Sequence, residues 1–193
     1  MGFFQRVKAI LFSPKTEWLV IEREPLDVAY VMTHYVAVLA FIPAMAGFVG
    51  GSVIGVNVPP LGIVRTPVFF GMMSAVISYV LTFFMIYVIA MIIDALAPTF
   101  GGVKNFPNAL KLAVYASTPS WLAGIFLILP GLTFMTLLGV FGFYLLWLGL
   151  PVLMKSPPEK TTVYTASVAA CTIFIAALLG LFQTTIATLL GVV

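Results

Sequence analysis

The run "VFFGMMSAVISYVLTFFMIYVIAMII", residues 68–93, contains no Lys, Arg, Asp or Glu. A helix of about 20 apolar residues crosses a hydrocarbon core of roughly 30 Å, so this run is long enough to cross a membrane. A lipid-exposed segment must also pair its own backbone N–H and C=O groups, which a helix does and an open sheet edge does not. The run therefore predicts a transmembrane helix.

Four other runs lack these charged residues, and they lie at residues 28–49, 112–129, 132–154 and 163–193. Of the 193 residues, 62% are hydrophobic and 8% are charged, whereas soluble domains have about 25% charged residues. We therefore predict an all-α polytopic membrane protein, a bundle of five transmembrane helices. The predicted spans are residues 28–49, 68–94, 112–129, 132–154 and 163–185, within a five-helix domain at residues 28–193.

The basic residues fall almost entirely on one side of the predicted bundle. They are Arg6, Lys8, Lys15 and Arg23 before the first span, Lys104 and Lys111 before the third, and Lys155 and Lys160 before the fifth, with Arg65 alone on the other side. Because cytoplasmic loops carry an excess of Lys and Arg, this bias places the N-terminus in the cytoplasm and the C-terminus outside. The net charge of +3 is dispersed over these loops, so nucleic acid is not an expected partner.

Residues 1–27 are predicted to form a short amphipathic segment at the cytoplasmic interface. In "MGFFQRVKAILF", apolar residues recur at helical spacing, and Arg6 falls outside the apolar stripe. Ser13 and Pro14 suit the N-cap and first position of a second short helix, with Trp18 on its apolar face. We expect these helices to rest on the headgroups or to cover the inner end of the bundle. An interfacial anchor or a docking element for a partner is the alternative.

The connection of residues 50–67 is apolar and rich in glycine and proline. We expect it to lie over the outer mouth of the bundle or to dip into the interface. A re-entrant pore loop is the alternative, although no ring of carboxylates accompanies it.

The stretch "KLAVYASTPSWLAG", residues 111–124, puts hydroxyl groups around a proline in the third span: Tyr115, Ser117, Thr118, Pro119 and Ser120. Pro119 has no N–H, so the carbonyl of Tyr115 loses its helical partner. Ser117, Thr118 and Ser120 are each able to hydrogen-bond a carbonyl one turn back. The stretch predicts either a kinked helix whose polar groups are satisfied within the bundle, or a polar half-site that faces a cavity.

Two ionisable residues lie in or near the predicted spans. We expect Asp94, at the end of the second span, to pair with Lys104 or Lys111 or to be solvated; an ion-coupling or substrate role is the alternative. We expect His34 to make an interhelical hydrogen bond rather than to act in catalysis. The chain has one histidine and one cysteine, Cys171, which excludes a bis-histidine haem and a thiolate cluster. No catalytic, cofactor-binding or metal-binding residue is predicted; Asp94 and His34 join the five residues above as a candidate polar intramembrane site.

Three stretches, "SPKTEWLVIEREP" (13–25), "VYASTPSWLAGIFLILPG" (114–131) and "FYLLWLGLPVLMKSPPEKTTVYT" (143–165), add a resemblance to this picture. In their order and spacing they resemble the prokaryotic branch of the Yip family, five-span membrane proteins named for Ypt/Rab interaction. The resemblance implies five helices, a cytoplasmic N-terminus and a prokaryotic cytoplasmic membrane. For eukaryotic members it implies vesicle traffic through Rab-type GTPases. Residues 1–27 are shorter than the arm of many such members and have no clear counterpart of their Asp-Leu-Tyr-Gly-Pro type element, which argues against Rab-type GTPase binding here.

The scarcity of titratable groups and the abundance of small residues in the spans favour a non-enzymatic integral membrane protein. We expect an adaptor or a membrane-organising, trafficking-like subunit that works by helix packing and through its cytoplasmic face. Its expected partners are the lipid bilayer and other membrane proteins or further copies of itself, with no cofactor. Two alternatives stay open. One is a transporter or channel for an ion or small solute with a polar site at the proline kink, and the other is a lipid-handling protein.

Overall fold

The computed structural model describes residues 2–189, with side chains as far as Thr185. Two short helices, α1 (Phe3–Phe12) and α2 (Pro14–Arg23), come first. The long helices that follow are α3 (Val28–Ile54), α4 (Val68–Leu96), α5 (Phe106–Ile128), α6 (Pro130–Leu153) and α7 (Pro158–Leu189). All five are long and apolar enough to cross a membrane, which confirms the predicted all-α bundle.

Helix α5 forms the centre of the bundle, where it packs against α4 and α6. Every residue from Ala109 to Ala116 is buried. The helix is interrupted at Ser117 and resumes at Thr118, with Pro119 in the first turn of the new segment. A proline is tolerated in a first turn because the N–H groups there have no helical partner in any case. The predicted kink is therefore the junction of two helical segments.

The connection between α3 and α4 forms a β-hairpin, a local structure that the sequence analysis did not predict. Strands β1 (Val56–Val58) and β2 (Gly62–Val64) pair antiparallel, with Val56 opposite Val64. All six strand residues are exposed, so the hairpin does not pack into the bundle. The β-branched residues favour strands, and Gly62 has a φ of 79°, which a turn can impose on glycine without strain.

Helices α5 and α6 are joined by Leu129 alone. The first part of α6, Pro130–Val140, is wound as a 3₁₀ helix, and the α-helical part begins at Phe141. Where the two helices meet, a Cβ atom on Gly142 would collide with the backbone carbonyl of Ala116. Glycine at position 142 therefore allows the two backbones to touch.

Helices α1 and α2, which we call the arm, lie against one end of the bundle. Ile10, Trp18 and Ile21 of the arm are completely buried. Ser13 is the N-cap of α2 and Pro14 is its first residue, as predicted. The expected position of Arg6 outside the buried face of α1 is wrong, because Arg6 is 7% exposed. Acidic partners on and after α2 account for this burial, as described next.

Candidate functional site

Arg6 is the centre of a polar cluster between the arm and the bundle, which we call the arm cluster: Arg6, Glu17, Glu24, Lys111 and Tyr115. One terminal nitrogen of Arg6 donates to Glu17, and the other donates to both carboxylate oxygens of Glu24 at 2.5 Å. Glu17 is 5% exposed and is thus as deeply buried as Arg6. Removing one partner of such a buried pair costs about 3–5 kcal/mol, because the other charge is left uncompensated. The ion pairs therefore tie α1 to α2 and to the segment after it.

The surroundings of Arg6 favour its charged form. Burial alone lowers the pKa of Arg6, but the hydrogen bonds to Glu24 and the negative charges of Glu24 and Glu17 raise this pKa above its ordinary value. Arginine is already protonated throughout the physiological range. The pairing of the arm through Arg6 is therefore insensitive to physiological pH.

Lys111 of α5 attaches the arm to the centre of the bundle. Its ammonium donates to the backbone carbonyls of Ile21 at 2.9 Å, Glu22 at 3.4 Å and Glu24 at 2.5 Å. The last carbonyls of a helix lack partners and carry the negative end of the helix dipole. Lys111 thus caps the C-terminus of α2, and its three N–H donors are all used.

The side chains of Tyr115 and Tyr35 connect the arm cluster to the proline junction. The guanidinium carbon of Arg6 lies 5.6 Å from the centre of the Tyr115 ring. That ring meets the ring of Tyr35 edge to face, at a centroid distance of 4.9 Å. The hydroxyl of Tyr35 in turn shares a hydrogen bond of 2.8 Å with the hydroxyl of Thr118. A continuous chain of contacts therefore runs from α1 to the start of the second segment of α5.

Trp18 seats the arm on α6. A Cβ atom on Gly149 would lie 2.8 Å from Cε2 of Trp18 and would also collide with Leu112. Only glycine leaves room for the indole at this position. The Nε1 atom of Trp18 is buried without a hydrogen-bond partner in the described structure, so packing alone holds the ring.

A cavity of about 360 Å³ opens beside the arm cluster, and we call it the arm cavity. Its walls come from the arm, from the segment after it, from the start of α3 and from α5. Tyr115 and His34, two of the predicted site residues, both line it. Further lining residues are Phe3, Glu24, Asp27, Tyr30, Tyr35 and Lys111.

Ser117 and Ser120 line a different cavity, of about 570 Å³, between α4, α5, α6 and α7. Ser117 donates to the carbonyl of Ala113 at 2.7 Å, one turn back, as the sequence predicts. Ser120 instead donates to the carbonyl of Gly139 in α6 at 3.1 Å. Ser117 therefore hydrogen-bonds within its own helix, while Thr118 and Ser120 hydrogen-bond to neighbouring helices.

Asp94 stands apart from these residues and lines neither cavity. It makes no ion pair among the described residues, so the expected pairing with Lys104 or Lys111 does not occur. Lys111 is directed to the end of α2 instead. One carboxylate oxygen of Asp94 is buried without a hydrogen-bond partner within the described chain.

His34 is exposed on α3, and its hydrogen bond lies within that helix rather than between helices. Its Nδ1 atom is 2.8 Å from the hydroxyl of Thr33, and its ring stacks on the ring of Tyr30 at a centroid distance of 4.6 Å. In residues 2–189, no three His, Cys, Asp or Glu side chains come together as a group able to hold a metal ion.

The sequence interpretation missed Arg6, Glu17, Glu24, Lys111 and Tyr35 as site residues. The sequence offers one signal for them, because the acidic residues Glu17 and Glu24 lie within 20 positions of the basic Arg6. Glu24 follows the end of α2 in an extended conformation, so helical periodicity does not place it beside Arg6.

Comparison with known proteins gives one family and two related chains. The profile of the Yip1 domain matches residues 8–180. The chain is similar to "Inner membrane protein YohC" of Escherichia coli strain K12 and of E. coli O6:H1, each 28% identical over 165 residues. Those alignments cover 83% of this chain and 85% of each relative. No solved structure matches significantly.

Proposed function

Because this chain belongs to the Yip1 domain family, we propose that it is a non-enzymatic adaptor or membrane-organising subunit. In this role the bundle anchors the protein, and the outer face of the arm binds partner proteins. Its proposed location is the cytoplasmic membrane, since the E. coli relatives are named inner membrane proteins. The excess of basic residues on the side of the arm supports a cytoplasmic N-terminus.

The observation that carries this proposal is the outer face of the docked arm. Phe4 and Phe12 are 82% and 78% exposed, and Leu19 and Val20 are about half exposed. The opposite face of the arm is fixed by Trp18, the ion pairs of Arg6 and the cap from Lys111, so these apolar side chains are presented on a rigid support. Exposed apolar surface marks a contact with a protein or with the membrane. We propose a protein partner because these side chains are held in fixed positions.

The distribution of polar groups supports an adaptor over a transporter. A solute pathway through the proline junction needs the candidate residues in one connected cavity. Tyr115 and His34 line the arm cavity, Ser117 and Ser120 line the other one, and Asp94 lines neither. At the junction, the buried hydroxyls of Tyr35 and Thr118 are bonded to each other. The charges near the junction are likewise engaged with one another, which argues against catalysis.

A photo-crosslinking amino acid at position 12 tests the proposed role in living cells. We expect Phe12 replaced in this way to give crosslinks to another membrane protein or to a second copy of this chain. The same replacement at Leu61, an exposed residue of the β-hairpin, is the matched control and should give none of these products. Lipid adducts alone at position 12, together with an isolated monomer in mild detergent, would refute an adaptor role.

A reporter fused to either terminus tests the proposed orientation. An enzyme reporter that is active only in the cytoplasm should work at the N-terminus and fail at the C-terminus. The reverse result would contradict the orientation and, with it, the cytoplasmic position of the arm.

A further inference from the structure

The arm cavity contains cationic side chains that are already occupied. Lys111 uses its three N–H donors on three backbone carbonyls, and the charge of Arg6 is matched by Glu17 and Glu24. An anionic ligand would therefore find no unengaged ammonium, and it would have to displace the carboxylate of Glu17 or Glu24 from Arg6. These cations act in the architecture of the cavity and do not attract an anion.

Asp27 gives the cavity an uncompensated negative charge. Arg6 and Lys111, which line the cavity, carry two positive charges; Glu24 and Asp27, which also line it, and Glu17, which pairs with Arg6 outside the lining, carry three negative ones. Asp27 accepts a hydrogen bond of 2.9 Å from the backbone N–H of Tyr30, as the N-cap of α3, and takes part in no ion pair of the described chain. The cap fixes the carboxylate in place but leaves its charge available to a cation.

Aromatic rings line the same cavity as this charge. Tyr30 and His34, stacked on each other, line the cavity one and two turns after Asp27, and both are accessible from outside. The rings of Phe3, Tyr35 and Tyr115 complete the walls. A carboxylate together with the faces of several aromatic rings is the arrangement by which proteins bind organic ammonium groups.

We propose that the arm cavity binds an organic ammonium group. Its volume of about 360 Å³ falls in the range of small-molecule sites, which hold about 300–1,000 Å³. The ammonium lies between Asp27, Glu24 and the rings of Tyr30 and His34. Two sources carry this chemistry: the amine headgroup of a phospholipid, and a small amine dissolved in the water phase. The inference rests on the cavity alone and is independent of the proposed adaptor role.

The first experiment tests the lipid headgroup as the source of the ammonium. The full-length protein is placed in mixed micelles with equal amounts of phosphatidylethanolamine and phosphatidylglycerol, and retained lipids are counted by native mass spectrometry. We expect about a tenfold preference for phosphatidylethanolamine, as cation–π and ion-pair contacts of this kind provide. Asp27→Asn should abolish the preference and still fold, since Asn caps a helix about as well as Asp. Glu159→Gln, the same change at an exposed carboxylate of α7, should keep it.

The second experiment tests a soluble amine as the source of the ammonium. In nanodiscs that contain only phosphatidylglycerol, tetramethylammonium chloride should raise the midpoint of thermal unfolding, whereas an equal concentration of sodium chloride should not. Asp27→Asn should lose this shift. Tyr30→Leu is a second variant, since the Tyr30 side chain is 55% exposed and contributes little to packing.

The outcomes separate the two sources and the failure of the proposal. A lipid preference that Asp27→Asn removes identifies the lipid headgroup, and a shift with tetramethylammonium alone identifies a soluble amine. The proposal is overturned if the wild-type protein shows neither effect, or if Asp27→Asn and Tyr30→Leu behave as the wild type does.

Discussion

The hydroxyl groups of Tyr35 and Thr118 lie 2.8 Å apart and join α3 to α5 across 83 positions of the chain. Both side chains are buried, and Thr118 is completely so. Thr118 is also the residue with which α5 resumes after its interruption. The polar contact at the proline junction is therefore a link between two membrane-spanning helices.

Removing either hydroxyl of this pair should destabilise the bundle. Tyr35→Phe and Thr118→Val should each lower the free energy of unfolding by about 1–2 kcal/mol, because each leaves one buried hydroxyl without a partner. The double variant should cost less than the sum of the two, with a coupling of about 0.6–1.7 kcal/mol. Equilibrium unfolding in mild detergent measures the free energies of unfolding of the two single variants and the double variant. Strictly additive effects would show that the hydrogen bond does not contribute.

Loss of the charge on Arg6 should release the arm. Arg6→Met leaves Glu17 buried without a cation, and we expect a loss of about 3–5 kcal/mol in the stability of the docked arm. Lys8→Met, on the exposed side of the same helix, should change stability by no more than about 0.5 kcal/mol. Limited proteolysis after Phe12 reports release directly. Equal resistance of the two variants would contradict the role of the ion pairs.

The cap from Lys111 should stabilise the docked arm independently of the ion pairs of Arg6. Lys111→Met leaves the last carbonyls of α2 without a donor and should cost about 1–3 kcal/mol. Lys104→Met, seven residues earlier and exposed, is the matched control. Hydrogen exchange at the backbone amides of α2 should quicken in the first variant only. If exchange quickens equally in both, the cap is not what holds α2.

A single methyl group at position 149 should disturb the seat of Trp18. Gly149→Ala brings its Cβ to 2.8 Å from the indole, and such overpacking typically costs about 1–3 kcal/mol. The emission of Trp18, measured after Trp121 and Trp147 are replaced by Phe, should shift to the red as the ring moves towards water. Gly131→Ala, where a Cβ meets no atom within 4 Å, should leave the emission unchanged. An unshifted spectrum for Gly149→Ala would place the indole elsewhere.

The long helices were predictable from the sequence because a segment that crosses lipid must pair its own backbone N–H and C=O groups, and a helix does so. Even so, α5 begins at Phe106, earlier than the predicted residue 112, and includes Lys111. The prediction took a span to be a run without charged residues, so it excluded Lys111. In the structure the ammonium of Lys111 donates to the carbonyls at the end of α2 instead of to water. A charged residue inside a helix that could span a membrane becomes intelligible only once its partner is known.

The arm cluster was not predictable, because its partners lie on different elements. Helical periodicity describes which side chains share a face, and it places Arg6 apart from the apolar residues of α1. Whether that side meets water or Glu17 depends on the turn between α1 and α2. The partner of Thr118 was not predictable for the same reason. The sequence predicts a hydrogen bond from Thr118 to its own helix, whereas its partner, Tyr35, belongs to another span.

The seat of the arm has a consequence for the order of biosynthesis. Trp18 leaves the ribosome early, whereas Leu112 and Gly149, which form its seat, are made far later. Until α5 and α6 have been inserted, the arm has nothing to dock on and exposes the apolar face that Trp18 belongs to. Docking of the arm is therefore a late event in biogenesis. A protease that cuts only the undocked arm would distinguish finished molecules from those still being assembled.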